Sequence, residues 1–456
     1  MTTDEFVGTD PEAARARRRS ARPLLLRLHF YAGVFIGPFL LVAALTGLLY
    51  IFTPQLEQVV YAHEMTVPAG SSAQPLESQL AAARQAVPDA TVVRVRPGPE
   101  ATDTTQVIFS RPDLEASHWL TAYVDPYSSE VRGVLETYGS SQATPVRTWI
   151  DQLHRGLHLG DFGRLYSELA ASWLWVVVLG GLVLWWSKRR QHRVADRHAK
   201  GRRKLVSWHA ATGSWVAIVL LFLSVTGLTW SQYAGESITD VRQALSWQTP
   251  TLSASMSEHA EHGGHAGHSE HSGSAPVTDA GPDRVLAAAR AHGLDGRVEL
   301  TLPKEGEVYL VKQIETGWPS KQDTVAIDPA SAQVLETLRF DDYPLGAKLA
   351  RWGIDAHMGM LFGLPNQLVL AVVCLALITM VVWGYRMWWH RRPTRDGFAM
   401  GKPFARGGWR SMPPAGLVAL VVAGALAVWF LPVFGVTLIG FLVVDALLGL
   451  RKSRVR

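Results

Sequence analysis

An apolar segment long enough to span a membrane occurs twice in this chain, and each copy opens with a histidine. His29 begins the first copy and His209 the second, and a Thr-Gly pair follows each histidine at the same spacing. A further series repeats with its own constant spacing: Asp125-Pro126, His154, Gly181 and Trp185-Trp186 correspond to Asp328-Pro329, His357, Gly384 and Trp388-Trp389. The sequence therefore predicts a tandem duplication that places one histidine of each half near either face of a membrane.

The apolar runs define the expected fold class. The 456 residues are 48% apolar, and four runs predict spanning helices at about 30–52, 168–187, 210–232 and 366–389. A fifth stretch, about 413–450, is too long for one span and is broken near Pro432, so it predicts a helical hairpin. We expect an α-helical polytopic membrane protein with tandem duplicated helix pairs, a C-terminal helical hairpin and two small α+β extracytoplasmic domains.

Arginine and lysine concentrate on one side of this topology, in the two terminal tails and in the segments 188–204 and 391–410. By the positive-inside rule that side is the cytoplasm. These clusters account for the net charge of +5, so we expect the lipid bilayer as a partner but no nucleic acid. The predicted order is a cytoplasmic tail 1–28, span 29–52, outer domain 53–148, outer histidine segment and span 149–187, cytoplasmic loop 188–207, span 208–232, outer linker 233–280, outer domain 281–345, outer histidine segment and span 346–390, cytoplasmic loop 391–412, hairpin 413–450 and cytoplasmic tail 451–456.

The single cysteine, Cys374, lies inside the fourth predicted span. One cysteine excludes an internal disulfide, a cysteine-ligated iron–sulfur cluster and the covalent attachment of c-type haem, so any haem must be held non-covalently. The first span is long and no small-residue cleavage pattern follows it, so we expect it to be retained rather than removed as a signal peptide.

Two outer segments, 76–137 and 283–340, each predict a short amphipathic helix followed by alternating strands. A Val/Ile-Asp-Pro turn is expected to close the last strand of each, because aspartate can bond its own backbone and proline fixes φ. The sequence therefore predicts the same small α+β module twice.

A low-complexity stretch before the second module carries a histidine at every third position: His259, His262, His265, His268 and His271. These imidazoles, diluted with glycine and serine, cannot pack a core but can bind copper, zinc or iron outside the cell. A flexible solvated linker explains the composition equally well.

The two histidines that open spans are candidate axial haem ligands. Ionisable groups at membrane depth are costly and usually functional, and neutral imidazole is a common haem ligand. His29 and His209 therefore predict an inner haem site. Small residues follow each histidine one and two helical turns later, where they would leave room for a porphyrin: Gly33 and Gly37, and Gly213 and Ala217. Close helix packing through these small residues, and interfacial histidines that bond a headgroup or a carbonyl, are the alternatives.

The outer face offers a second candidate pair. His154 and His357 are equivalent in the repeat, and each follows a tryptophan by five residues. His158 lies one helical turn after His154 on the same expected face, and the equivalent position in the second half is Leu361. Repeat spacing favours His154 and depth of insertion favours His158, so both remain candidates.

These motifs together resemble the PepSY-associated transmembrane family, which includes iron-regulated membrane proteins and ferric-siderophore reductases. The resemblance rests on the H-x-x-x-G opening and the Thr-Gly of the first and third spans, and on the two Asp-Pro turns. It rests also on LHRGLHLGDFGRLYSELAASW before the second span and DAHMGMLFGLPNQ before the fourth. It covers the chain up to about residue 395 and leaves out the final hairpin.

The resemblance implies a membrane oxidoreductase of the ferric reductase type that binds two b-type haems and has no acid–base catalytic residue. His29 with His209 would hold an inner haem, and His154 or His158 with His357 an outer one. Electrons would reach a ferric chelate or other oxidised metal outside, such as a ferric siderophore, for iron acquisition. No Rossmann glycine fingerprint is visible, so we expect a quinol or another protein as the electron donor.

Two other functions remain open. One is a membrane protein that binds copper, zinc or iron through the histidine-rich stretch without redox chemistry. The other is a regulator of an extracytoplasmic protease, because the PepSY module also occurs in protease propeptides; neither an HExxH helix nor a Ser/His/Asp arrangement stands out, so the chain itself is not expected to be a peptidase.

Overall fold

A computed structural model describes residues 21–191, 200–256, 279–391, 404 and 412–453 of the chain. The chain divides into two compact units. The helical unit comprises residues 1–48, 153–241 and 369–456, and the sheet unit comprises residues 49–152 and 242–368.

The helices and strands, in chain order, are α1 (Arg22–Ile51), α2 (Thr53–Val60), α3 (Ala62–Met65), α4 (Leu76–Ala86), β1 (Thr91–Arg96), β2 (Thr105–Ser110), β3 (His118–Val124), β4 (Val131–Tyr138), α5 (Pro145–Gly156), α6 (Gly160–Gln191), α7 (Arg202–Thr229), α8 (Tyr233–Ala244), α9 (Pro282–Ala291), β5 (Val298–Thr301), β6 (Tyr309–Gln313), β7 (Thr324–Ile327), β8 (Val334–Leu338), α10 (Leu345–His357), α11 (Leu364–Trp389), α12 (Pro414–Phe430) and α13 (Pro432–Ser453). A short 3-10 helix, Phe340–Asp342, precedes α10.

Four helices, α1, α6, α7 and α11, are long and apolar enough to cross a membrane. They coincide with the four predicted spans, but α1, α6 and α7 begin about eight residues earlier than the apolar runs do. The extra turns carry polar and basic residues, whose long side chains can reach the interface while the backbone stays helical. Beyond α11, the C-terminal apolar stretch forms α12 and α13, which are separated at Leu431.

A proline inside α1 explains one contact between spans. Pro38 has no N–H, so the carbonyl of Val34, four residues earlier, lacks its helical partner. The hydroxyl of Tyr385 on α11 donates to that carbonyl at 2.6 Å. A Cβ at Gly37 would lie 3.3 Å from the Tyr385 ring, so the glycine makes room for this contact. The carbonyl freed by proline is thereby satisfied at membrane depth, where water cannot satisfy it.

The sheet unit contains one antiparallel sheet of eight strands in the order β4-β3-β2-β1-β5-β6-β7-β8. The first predicted module supplies β1 to β4 and the second supplies β5 to β8. They join where β1 pairs with β5, with Val95 opposite Leu300. The two modules predicted from the sequence therefore share a single sheet, and α4 and α9 contribute to its core.

The prediction that an Asp-Pro turn closes the last strand of each module is wrong. Each turn instead connects two strands, β3 to β4 and β7 to β8. Asp125 accepts the backbone N–H of Tyr127 at 2.8 Å, and Asp328 accepts that of Ala330 at 2.6 Å, so the aspartates act as predicted. The extra strands escaped prediction because most residues of β4 and β8 are only half-buried and the strands lack a clear apolar alternation.

Substitution of Leu300 by alanine tests the importance of the central strand pair. The side chain is fully buried in the core that both modules build. We expect Leu300→Ala to lower the free energy of unfolding by about 3 kcal/mol, because it removes buried methyl groups and leaves a cavity. Thermal unfolding of the purified protein measures this loss. Leu335→Ala, at a half-exposed position on β8, is the control and should change the midpoint little.

Candidate functional site

His29 and His209 lie next to each other within the helical unit. Their ring centroids are 6.2 Å apart and their planes are nearly perpendicular, at 80°. His29 lies on α1 and His209 on α7, each in the part of the helix that follows the basic residues. The structure thus brings together the two histidines that the repeat singled out.

A backbone carbonyl fixes the orientation of each of these rings. Nδ1 of His29 lies 3.0 Å from the carbonyl oxygen of Val177 on α6. Nδ1 of His209 lies 3.1 Å from the carbonyl oxygen of Met380 on α11. A carbonyl oxygen only accepts, so Nδ1 of each neutral ring carries the hydrogen and Nε2 keeps its lone pair. Metal-binding histidines commonly have this arrangement, in which the second ring nitrogen donates to a carbonyl.

Glycines lie beside this histidine pair. A Cβ at Gly181 of α6 would lie 3.2 Å from Cε1 of His29, so the ring occupies space that a side chain would take. A Cβ at Gly33 or Gly384 would meet no atom within 4 Å, so both positions border open space. The site therefore combines fixed imidazoles with nearby room for a larger group.

The other small residues have packing roles. Gly37 contacts Tyr385, as described above, and Ala217 is only 2% exposed in the core of the helical unit. A Cβ at Gly213 would lie 3.3 Å from Sδ of Met380. Of the four small residues that were predicted to leave room for a porphyrin, Gly33 alone borders open space. Gly37 and Ala217 serve close helix packing, which was the alternative prediction.

His154, in the last turn of α5, contacts the Thr-Gly pair of α1. Its Nδ1 lies 2.9 Å from Oγ1 of Thr46. The threonine hydroxyl can donate its one hydrogen to the carbonyl of Val42 at 2.9 Å, in which case Oγ1 accepts from His154 Nδ1. A Cβ at Gly47 would lie 3.2 Å from Cε1 of His154, so glycine permits the close approach.

His158 does not share a helical face with His154, contrary to the sequence prediction. Helix α5 ends at Gly156, and Leu157 and His158 adopt left-handed backbone conformations with φ of 52° and 55°. The His158 side chain is exposed. The break arises at the tight crossing of Gly156 and Gly163, where any Cβ on Gly163 would collide with the Gly156 carbonyl.

His357 is the last residue of α10, in the sheet unit. Around it, Arg351 bonds both carboxylate oxygens of Asp355 at 2.8 Å, and Asn366 donates to the carbonyl of Ala356 at 3.0 Å. Burial raises the pKa of the Asp355 carboxyl to about 6, although the charge of Arg351 opposes the rise. These bonds fix the end of the helix that carries His357. The pairing of His154 with His357 stays a prediction.

The histidine-rich stretch, with His259, His262, His265, His268 and His271, lies outside the described residues. Within the ranges that the structure describes, no group of three or more His, Cys, Asp or Glu side chains could hold a metal ion. The predicted metal capture by this stretch therefore stays a prediction.

Sequence reasoning identified the histidines but assigned no role to the residues that orient them. Thr46, Gly47 and Gly181 all belong to the repeated positions, so the repeat itself was the signal that could have found them. Val177 and Met380 contribute backbone carbonyls, for which the side-chain sequence gives no signal.

The profile of the PepSY-associated TM region matches residues 26–391. The chain belongs to this family. The match confirms the resemblance drawn from the motifs and, with the four apolar helices, identifies a membrane protein of the PepSY-associated group. It includes every candidate histidine and ends before α12 and α13. The comparison with curated proteins found no match.

Proposed function

We propose that this PepSY-associated protein binds b-type haem through its span histidines and carries electrons across the cytoplasmic membrane to a ferric chelate outside. The observation that carries the proposal is the His29–His209 pair, whose two Nδ1 atoms are tied to carbonyls of neighbouring spans. Nε2 of each ring therefore keeps the lone pair with which it could bind iron.

The spacing of the pair fits a shared iron. Two imidazoles bound to one iron through metal–nitrogen bonds of about 2 Å would have ring centroids up to about 6 Å apart. The observed separation is 6.2 Å. A hydrogen bond between the two rings would require one Nε2 to carry a hydrogen as well, which the carbonyl contacts disfavour for neutral imidazoles.

Each group then has a definite part in the proposed activity. Bound haem supplies a one-electron couple, Fe(III)/Fe(II). His29 and His209 would hold it at the basic end of the spans, and the family resemblance implies that His154 and His357 would hold a second haem. Exposure of His158 and its position beyond α5 favour His154 as the ligand.

The duplicated sequence and the positions of the basic residues support the rest of the proposal. Equivalent residues of the two halves lie in equivalent elements, and the sheet order is symmetric about the β1–β5 pair, as a tandem duplication would give. By the positive-inside rule, the arginine and lysine clusters support a cytoplasmic location for both termini. A siderophore-bound Fe(III) reduced outside would be released, because hard oxygen chelators hold Fe(II) more weakly.

Proteoliposomes test the transfer of electrons across the membrane. Haem-loaded protein is reconstituted with an impermeant reductant sealed inside and a ferric hydroxamate outside, and a chromogenic Fe(II) chelator reports the product. We expect Fe(II) to form outside with the wild-type protein and at the background rate with His209→Ala. Wild-type vesicles that form Fe(II) no faster than protein-free vesicles would contradict the proposal.

Thr46 provides a test of the outer site. Thr46→Val removes the oxygen that meets His154 Nδ1, whereas Thr46→Ser keeps it. Loss of such a supporting bond lowers metal-site affinity by about 10–100-fold, so we expect Thr46→Val to lose outer haem on dilution while Thr46→Ser retains it. Haem content after gel filtration measures this difference, and equal retention by both variants would contradict the assigned role.

A further inference from the structure

A pocket of about 460 Å³ lies within the helical unit between α1, α6 and α13. Its walls are apolar and rich in aromatic rings, among them Tyr31, Phe35 and Phe39 of α1, Trp173 of α6 and Phe441 of α13. Its size falls within the range of about 300–1,000 Å³ that is usual for small-molecule sites. Helix α13 lies beyond the part of the chain that the family profile matches.

One carboxylate lines this apolar pocket. Asp445 of α13 pairs with Arg27 of α1, whose side chain is 7% exposed and also donates to the carbonyl of Phe404 at 2.6 Å. An ionisable group at such a position is costly and usually marks a functional site. Arg27 is two residues from His29, so the pair places Asp445 at the level of the inner histidine site.

The rim of the pocket consists of apolar side chains that the protein leaves uncovered. Phe35 is 59% exposed, Val444 55% and Leu448 48%. On a membrane-spanning helix such side chains face lipid, so an occupant would enter from the bilayer. The lining suits a flat, lipid-soluble ring with a hydroxyl: aromatic side chains pack against the ring, and the carboxylate accepts a hydrogen bond. An acyl chain needs neither feature.

We propose that this pocket binds the ring of a membrane quinol, which is the electron donor to the site of His29 and His209. The electron-transfer part rests on the proposed function, whereas the binding part does not. Oxidation of one quinol to quinone releases two electrons and two protons. The two electrons would leave one at a time through the haem site and reduce two Fe(III) ions of the chelate outside. Asp445 accepts the first hydroxyl proton, and both protons leave to water on the basic side of the spans.

Gly440 offers a way to fill the pocket without disturbing its walls. It lines the pocket, and a Cβ built on it meets no atom within 4 Å, so Gly440→Phe places a ring in the open space. Val443→Phe is the matched control, because Val443 lies on the same helix, is 52% exposed and does not line the pocket.

Photolabelling tests the binding without requiring haem. The full-length protein in nanodiscs is illuminated with an azidoquinone, and the labelled peptides are mapped by mass spectrometry. We expect label within 31–39 or 437–448 in the wild type and in Val443→Phe, with at least a tenfold loss in Gly440→Phe. Label elsewhere in the chain overturns the proposal. So does equal labelling of Gly440→Phe and the wild type, which is the result expected if an acyl chain fills the pocket.

Stopped-flow reduction tests the electron transfer. We expect decylubiquinol to reduce the haem of the wild type and Val443→Phe at least tenfold faster than that of Gly440→Phe and Asp445→Asn. Asp445→Glu should have an intermediate reduction rate. Dithionite should reduce all of them alike. If dithionite reduces the haem in every variant and quinol reduces it equally fast in the wild type and Gly440→Phe, this inference alone is overturned. Protein without haem contradicts the proposed function instead, and the photolabelling still decides whether the quinol binds.

Discussion

Replacement of either His29 or His209 by alanine should abolish haem binding at the inner site. The ring centroids are 6.2 Å apart, and a backbone carbonyl orients each ring, so each variant removes one of the two imidazoles that would hold the haem. Loss of a supporting bond alone costs about 10–100-fold in affinity, and loss of the ligand itself should cost more. Haem per chain, counted as the pyridine haemochrome, should fall by the same amount in both variants.

His390→Ala is the matched control for these variants. His390 follows α11 at the same end of the spans, and its side chain is exposed. Its substitution should leave the haem content unchanged. A gel-filtration profile identical to that of the wild type establishes that each variant is folded. Unchanged haem content in folded His29→Ala or His209→Ala protein would refute the assignment of these ligands.

Replacement of Arg147 by methionine should strongly destabilise the sheet unit. Arg147 on α5 and Glu57 on α2 form a buried ion pair, with side chains 7% and 9% exposed and Nη1 3.3 Å from Oε2. Glu57 also accepts the N–H and the hydroxyl of Thr144, at 3.0 and 2.8 Å. Removal of the arginine leaves a buried carboxylate without its counter-charge, which costs about 3–5 kcal/mol. The thermal unfolding midpoint in detergent should fall accordingly.

The double variant Arg147→Met with Glu57→Leu separates a buried charge from a packing defect. If the unpaired carboxylate causes the loss, removal of both charges should restore most of the stability, because apolar residues of similar volume can replace a buried pair. Arg84→Met breaks the exposed pair with Glu77 and should cost at most about 1 kcal/mol. A double variant as unstable as Arg147→Met would show that packing of the arginine, and not its charge, is what matters.

The sequence predicted the spans and the histidines because both leave strong local patterns. Long apolar runs define α1, α6, α7 and α11, and the repeat selects His29 and His209 from the other histidines. The α+β modules were also recognisable from alternating strands. Their fusion into one sheet was not, because the pairing of β1 with β5 joins segments about two hundred residues apart, and such non-local pairing leaves no local sequence pattern.

The remaining site residues escaped prediction for different physical reasons. The end of α5 depends on the crossing of Gly156 and Gly163, so the helical periodicity that placed His158 beside His154 could not reveal it. Asp445 did leave a signal, since it is an acidic residue within an apolar run, and such residues are rare unless functional. In the sequence, its partner Arg27 is part of the basic cluster of the N-terminal tail, so the pattern indicates topology and not an ion pair.

A reduced-minus-oxidised visible spectrum of the purified protein, with a pyridine haemochrome count, tests the central claim most directly. The proposed function predicts a sharp b-type α-band in the wild type that His209→Ala and His29→Ala each diminish to the same extent, while His390→Ala leaves it intact. A folded but colourless wild-type protein, obtained from cells with ample haem, would contradict the claim.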